Sequence, residues 1–148
     1  MGFPYDHGSQ AFRRSLDTFV RVTTAAQATR RDGSTALSLC NVACGRYDGF
    51  IVEANSLWDY AAGVLLVREA GVRVADFAGR DDVASGASSQ VVASNSALRG
   101  SLLACVNPGD AFACVRLPPR SAAFTIPVRA QLPPVLLRTG KYLGTLFM

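Results

Sequence analysis

The chain has 148 residues, of which 49% are hydrophobic and 18% are charged, and its formal net charge at pH 7 is +4. This length suits one domain of ordinary size, and the apolar fraction excludes a chain that is disordered throughout. No stretch approaches the roughly 20 apolar residues that a membrane-spanning helix needs, because Arg68 interrupts the run at 61–67. The first residues lack a charged segment followed by an apolar core, so we expect no secretory signal.

The positive charge lies in the C-terminal part of the chain. Residues 1–110 contain 10 basic and 11 acidic residues, whereas residues 111–148 contain 5 basic residues and no acidic one. Six of the seven prolines also follow position 107. We therefore predict a body at residues 1–106 and a Pro-rich basic tail at 107–148. A basic arm for nucleic acid or anionic lipid is one interpretation, but the charges are scattered among apolar residues, which favours a poorly ordered extension.

Cysteine usage argues against a zinc site. The four cysteines stand at 40, 44, 105 and 114, no C-x-x-C pair occurs, and His7 is the single histidine. Structural zinc requires four Cys or His ligands with characteristic spacing. We therefore predict small, buried, reduced thiols and a cytoplasmic protein.

The elements in chain order alternate between helices and strands. Helical periodicity and capping residues predict helices at about 9–29, 34–44, 60–70 and 96–106. Apolar, β-branched runs predict strands near 50–52, 72–77 and 90–93. This alternation is typical of an α/β or α+β layered sandwich.

The stretch LWDYAAGVLLVREAG at 57–71 contains the most informative carboxylate. Asp59 would open the helix at 60–70, where aspartate accepts hydrogen bonds from unpaired backbone N–H groups. Leu65 and Leu66 indicate a mostly buried helix, and Gly71 supplies a left-handed stop. The residues alone leave open whether Asp59 is only a cap or also a ligand for a charged group.

Four segments, taken together, resemble the inositol monophosphatase family. These are GSTALSLCNVACGRYDGF at 33–50, WDYAAGVLLVREAG at 58–71, VADFAG at 74–79 and VVASN at 91–95. The family signature is W-D-x-A-[AG]-G followed by apolar residues and E-A-G-G, and the resemblance spans about residues 1–106. It implies the C-terminal α/β part of the family's layered sandwich. It also implies a Mg²⁺-dependent phosphomonoesterase, commonly a homodimer, that acts on inositol monophosphate or a related sugar or alcohol phosphate.

The resemblance assigns two sites to this chain. Asp59 corresponds to a ligand of a catalytic Mg²⁺, a role compatible with capping, and Mg²⁺ prefers hard oxygen ligands. Gly33, Ser34 and Thr35 correspond to the turn that contacts the alcohol part of the substrate, where exposed N–H groups and a helix N-terminus favour an electron-rich ligand.

A third site fits less directly. The family places a substrate-binding glutamate seven residues before the aspartate of the W-D pair, which is Val52 here, whereas the carboxylate stands at Glu53. One position in an extended segment turns a side chain to the opposite face. Either a local bulge brings Glu53 to the substrate, or this contact is absent. Val72 also replaces the second glycine of E-A-G-G.

The family's other metal ligands do not occur in this sequence. They lie in a D-P-[LI]-D-G-[ST] motif and an upstream glutamate, and His7 cannot replace them. We therefore expect a C-terminal fragment of a phosphatase that is inactive alone. The alternative is a non-catalytic truncated homologue that binds or dimerises with a partner; a basic binding module built on the tail is the least favoured hypothesis.

Overall fold

Four helices and three short strands form the part of the chain that the computed structural model describes, residues 1–86 and 88–107. Their bounds are α1 Gln10–Ala25, α2 Thr35–Ala43, β1 Gly49–Val52, α3 Leu57–Glu69, β2 Arg73–Ala75, β3 Val91–Ser94 and α4 Ser96–Val106. The predicted order of elements is confirmed. No helix in these ranges is long and apolar enough to cross a membrane. The predictions for the tail fall on residues 108–148, outside the described residues.

The strands form an antiparallel sheet with β3 in the centre, in the order β1-β3-β2. Gly49 pairs with Ser94 at one end of β1, and Val52 pairs with Val91 at the other. All four residues of β3 are buried, so both faces of the sheet are covered. The α2 and α3 helices cover one face and α4 covers the other, with α1 packed against α4. The predicted layered α/β sandwich is thus confirmed.

The predicted end of α1 is wrong by four residues. The helix stops at Ala25, and Ala26 is extended, with φ −89° and ψ 153°. The Thr24 hydroxyl donates back to the carbonyl of Val20 at 3.1 Å and to that of Arg21 at 2.8 Å. Such side-chain bonds compete with the helical ladder, which is why threonine is weak in helix interiors.

The α3 helix begins three residues earlier than predicted. Ser56 is the N-cap, with φ −79° and ψ 151°, and Asp59 is the third helical residue rather than the residue before the helix. The Asp59 carboxylate reaches back and accepts from the Ser56 N–H at 3.3 Å. Asp59 therefore stabilises the helix start from inside the first turn, as in a capping box. At the other end Gly71 has φ 73°, which confirms the left-handed stop.

Close approach of α2 and α3 is possible because Gly63 has no side chain. A Cβ at Gly63 would lie 2.6 Å from Leu39 Cδ1 and 2.7 Å from Leu39 Cβ. The prediction of burial is wrong for Leu65 and Leu66, which are 60% and 46% exposed. Leu65 lies on the side of α3 opposite Gly63 and Leu66 lies beside that side, and both are among the residues of α3 that the described elements leave exposed.

The prediction of reduced cysteines holds in part. Cys40 and Cys44 are free thiols, on α2 and at its C-terminus. Cys105, fully buried on α4, is disulfide-bonded, so the prediction of a reduced thiol is wrong there.

Candidate functional site

A cavity of about 320 Å³ brings together four of the five residues that the sequence assigns to a site. Gly33, Ser34 and Thr35 line it from the start of α2, and Asp59 lines it from the first turn of α3. The glycine and serine precede α2, so the cavity lies where two helix N-termini meet. The N-terminal ends of two helices, which carry unpaired backbone N–H groups and partial positive charge, therefore border it on two sides.

Local hydrogen bonds shape the turn before α2. Gly33 has φ 76°, a conformation that favours glycine. Ser34 is extended, and its hydroxyl caps the helix by accepting from the Leu37 N–H at 3.3 Å. The Thr35 hydroxyl accepts from the side-chain amide of Asn55, which also lines the cavity. The loop after β1 is thereby tied to the first residue of α2.

A second carboxylate, Asp32, directly precedes this turn and connects it to α2 and to Tyr47 through hydrogen bonds. Tyr47 donates to both of its oxygens, at 2.8 and 3.0 Å, and Ser38 donates to one of them at 3.3 Å. The hydrogen bond to this carboxylate, together with burial, raises the pKa of the Tyr47 hydroxyl. Asp32 therefore holds the loop that precedes Gly33. Sequence analysis missed this role because Tyr47 lies fifteen positions away and only the fold brings it close.

Asp59 is the carboxylate among the residues that line the cavity. Its side chain is exposed, and no ion pair within residues 1–86 and 88–107 involves it. The same described residues contain no group of three or more His, Cys, Asp or Glu side chains that could hold a metal ion. Asp59 is thus an exposed carboxylate at the cavity, and carboxylate oxygens are the hard ligands that divalent cations such as Mg²⁺ prefer.

A cationic side chain that sequence analysis missed also lines the cavity. The Arg31 guanidinium lies over the ring of Phe3, 5.2 Å from its centre. Aromatic faces attract cations, so this contact restricts an otherwise long and mobile side chain. A positive charge close to the α2 N-terminus adds to the attraction of the cavity for anions.

Glu53 lies elsewhere. Its side chain is buried, 4% exposed, and accepts from Arg14 Nη2 at 2.6 Å and Nε at 3.0 Å, and from Gln90 Nε2 at 3.2 Å. It is not among the residues that line the cavity. The next residue, Ala54, has φ 61°, and Asn55 after it does line the cavity. The predicted contact of Glu53 with substrate gains no support from this position.

The comparison with protein families decides the relationship. The inositol monophosphatase family matches residues 3–108, more than half of the chain. The chain belongs to this family. The match covers both segments that line the cavity, the turn at 33–35 and the first turn of α3.

Individual relatives match it in part. Nus factor SuhB of Xylella fastidiosa is 55% identical over 56 residues, which are 38% of this chain and 20% of that protein. Inositol-1-monophosphatase of Mesorhizobium japonicum is 46% identical over 85 residues, 57% of this chain and 31% of that protein. The solved structure of inositol monophosphatase from Anabaena (Nostoc) sp. PCC 7120 superposes with a TM-score of 0.63 at 32% identity, covering 82% of this chain and 45% of that one. The chain thus spans less than half the length of each of these relatives.

Proposed function

We propose that the chain supplies the substrate-facing, C-terminal part of a Mg²⁺-dependent phosphomonoesterase that acts on inositol monophosphate or a related sugar or alcohol phosphate. The observation that carries this proposal is the cavity shared by the turn at 33–35 and by Asp59. Family membership independently favours a metal-dependent phosphatase.

Different residues of the cavity bind different parts of the substrate. The turn formed by Gly33, Ser34 and Thr35 presents backbone N–H groups at a helix N-terminus, which suits the oxygens of the alcohol or the ester. Arg31 adds a fixed positive charge for an anionic group. Asp59 contributes one carboxylate oxygen to a metal. When bound, Mg²⁺ in such a site neutralises the phosphate and the leaving oxygen.

One carboxylate does not hold Mg²⁺ at useful affinity, because Mg²⁺ requires a near-octahedral set of oxygen ligands. The chain therefore needs the carboxylates of the part of the family fold that it does not span. The first expected result is that the purified chain releases no Mg²⁺-dependent phosphate from inositol monophosphate above background.

The test of the proposal is a hybrid enzyme. The part of Mesorhizobium japonicum inositol-1-monophosphatase that precedes the matched segment is fused to this chain, and phosphate release is measured with and without Mg²⁺. We expect activity in the hybrid and a loss of at least about 100-fold in kcat with Asp59→Asn, because even groups that only support a metal ligand contribute 10–100-fold. Asparagine retains a side-chain oxygen that can accept from the Ser56 N–H, so the helix should persist in far-UV circular dichroism.

The outcome separates the two roles of Asp59. An active hybrid whose rate is unchanged by Asp59→Asn would reduce Asp59 to a helix-capping residue. Mg²⁺-dependent hydrolysis by the unfused chain would contradict the fragment hypothesis, because the described residues gather no metal-binding cluster.

A second candidate function is that of a non-catalytic truncated homologue that binds or dimerises with a full-length relative. It is favoured by the incomplete ligand set and by relatives named as Nus factors rather than as phosphatases. A cytoplasmic location and a homodimer of the intact enzyme belong to the same proposals. Co-purification of this chain with full-length Mesorhizobium japonicum inositol-1-monophosphatase, together with an inactive hybrid, would favour the second function over the first.

A further inference from the structure

Asn55 lies at the cavity between the start of α2 and the start of α3. It lines the cavity and directly precedes Ser56, the N-cap of the helix whose first turn contains Asp59. Its side-chain amide nitrogen donates to the Thr35 hydroxyl at the beginning of α2. Its backbone N–H donates to the carbonyl of Ser89 at 3.2 Å. Hydrogen bonds therefore hold both the backbone and the side chain of Asn55 in place.

The side-chain oxygen of Asn55 is an open hydrogen-bond acceptor. A side-chain amide has an oxygen that accepts and a nitrogen that donates, and the bond to Thr35 uses the nitrogen. Within residues 1–86 and 88–107, no group donates a hydrogen bond to Asn55 Oδ1, and this oxygen is not among the buried polar atoms that lack a partner. It is therefore accessible to a hydroxyl group that enters the cavity.

Thr35 supplies the complementary donor. Its hydroxyl oxygen accepts from Asn55, and a hydroxyl group that accepts one hydrogen bond still has a hydrogen with which it can donate another. Thr35 lines the same cavity. The two side chains thus place an uncharged donor beside an uncharged acceptor. This pair matches the hydroxyl group of an alcohol, because such a group both donates and accepts.

The carboxylate that the family resemblance assigns to hydroxyl binding is engaged elsewhere. Glu53 Oε1 accepts from Arg14 and from Gln90, and its side chain is only 4% exposed. Ala54 has φ 61°, in the left-handed region, so the backbone changes direction between residues 53 and 55. The side chain of Asn55 consequently reaches the cavity, whereas that of Glu53 is bonded to α1.

We propose that Asn55 and Thr35, in place of Glu53, are the side chains that select a substrate by its hydroxyl groups. The inference rests on the proposed function and narrows its substrate class to phosphate monoesters of polyols, whose alcohol part keeps free hydroxyl groups. An uncharged pair suits such a substrate, because a further carboxylate in the cavity would repel both the phosphate and the Asp59 carboxylate.

The test compares two substrates in the hybrid enzyme described above. myo-Inositol 1-phosphate carries free ring hydroxyls, and cyclohexyl phosphate has the same carbon ring without them. The measured quantity is the ratio of kcat/KM for the inositol ester to kcat/KM for the cyclohexyl ester, which does not depend on the fraction of active enzyme. We expect a ratio of at least about 10, because each neutral hydrogen bond lost with the hydroxyls contributes a factor of about 2–12.

Two substitutions distinguish Asn55 from Glu53. Asn55→Leu nearly preserves the shape of the side chain and removes the acceptor, so the ratio should fall about three- to tenfold, mainly through the KM of the inositol ester. Glu53→Met removes any acceptor at position 53 and should leave the ratio within about twofold. If circular dichroism shows that Glu53→Met does not fold, Glu53→Gln, which keeps an oxygen for Arg14, replaces it. Combining Thr35→Val with Asn55→Leu should lower the ratio by less than the product of the two single effects, because the two side chains act together.

A ratio that falls with the substitution of Glu53 but not with Asn55→Leu would overturn the inference. A hybrid that hydrolyses both esters equally well would also overturn it and would leave the phosphomonoesterase activity intact. A hybrid that hydrolyses neither ester contradicts the proposed function instead. The inference is then decided by NMR titration of the isotope-labelled full chain with myo-inositol in the absence of Mg²⁺. A saturable shift of the Asn55 side-chain amide resonances supports it, and no shift at about 100 mM myo-inositol overturns it.

Discussion

Replacing Gly63 by alanine tests the contact between α2 and α3. The added methyl would lie 2.6 Å from Leu39 Cδ1 and 2.7 Å from Leu39 Cβ. Leu39 is fully buried, and its Cβ is fixed to the α2 backbone, so the side chain cannot simply rotate away. Overpacking of this kind costs about 1–3 kcal/mol. Alanine is favoured over glycine in a helix interior by about 1 kcal/mol. The expected net loss in the free energy of unfolding is therefore about 1 kcal/mol, within a range of roughly 0–2.

The matched control is Gly100→Ala on α4. A Cβ at Gly100 would have no heavy atom within 4 Å, so only the helix preference acts, and the variant should gain about 0.5–1 kcal/mol. Urea unfolding followed by far-UV circular dichroism measures both, since Trp58 is too exposed to report on folding. The packing argument is refuted if Gly63→Ala stabilises the chain as much as Gly100→Ala does.

Two further predictions concern buried polar groups. Burial by itself raises the pKa of Asp76, but the hydrogen bonds from the Arg80 backbone and side chain outweigh it and hold the pKa below its ordinary 3.8. A carboxyl group whose pKa is lower in the folded state stabilises the fold at pH values above its unfolded-state pKa, so Asp76→Asn should destabilise the chain at pH 7. The difference in free energy of unfolding between the wild-type chain and the variant should shrink below about pH 4. A difference between their urea midpoints that stays constant down to pH 3 would contradict this. Tyr60→Phe removes the hydrogen bond from a buried hydroxyl to the Ser88 carbonyl, 2.8 Å long, and should cost about 1 kcal/mol in thermal unfolding; an unchanged melting temperature would show that this bond contributes nothing.

Local signals predict the elements that depend on local contacts. The start of α4 follows from Asn95, whose side chain accepts from the Leu98 N–H at 2.9 Å, and the start of α2 follows from Ser34 in the same way. The start of α3 was misjudged because Ser56 and Asp59 both suit a helix start, and sequence pattern alone does not choose between them.

The same distinction between sequence signals and tertiary contacts applies to the candidate site. Gly33–Thr35 and Asp59 were predicted from the family resemblance, whereas the role of Asp32 depends on a tertiary contact with Tyr47 that no local pattern encodes. The exposure of Leu65 was mispredicted for another reason. Burial of a helical residue depends on which elements pack against it, and Leu65, on the side of α3 opposite the buried residues, is 60% exposed in the described part of the chain.

The central position of β3 has a consequence for synthesis of the chain. Neither β1 nor β2 meets β3 until residues 91–94 have left the ribosome, and among the described residues β3 is the one strand with which either outer strand pairs. The contact between α2 and α3 is shorter in sequence and can form earlier, since local contacts close faster than distant ones. A nascent chain would then carry the α2–α3 pair with its sheet-facing side uncovered and with Leu65 and Leu66 exposed as well. Such transient apolar surface is what molecular chaperones bind, and it promotes aggregation when they are scarce.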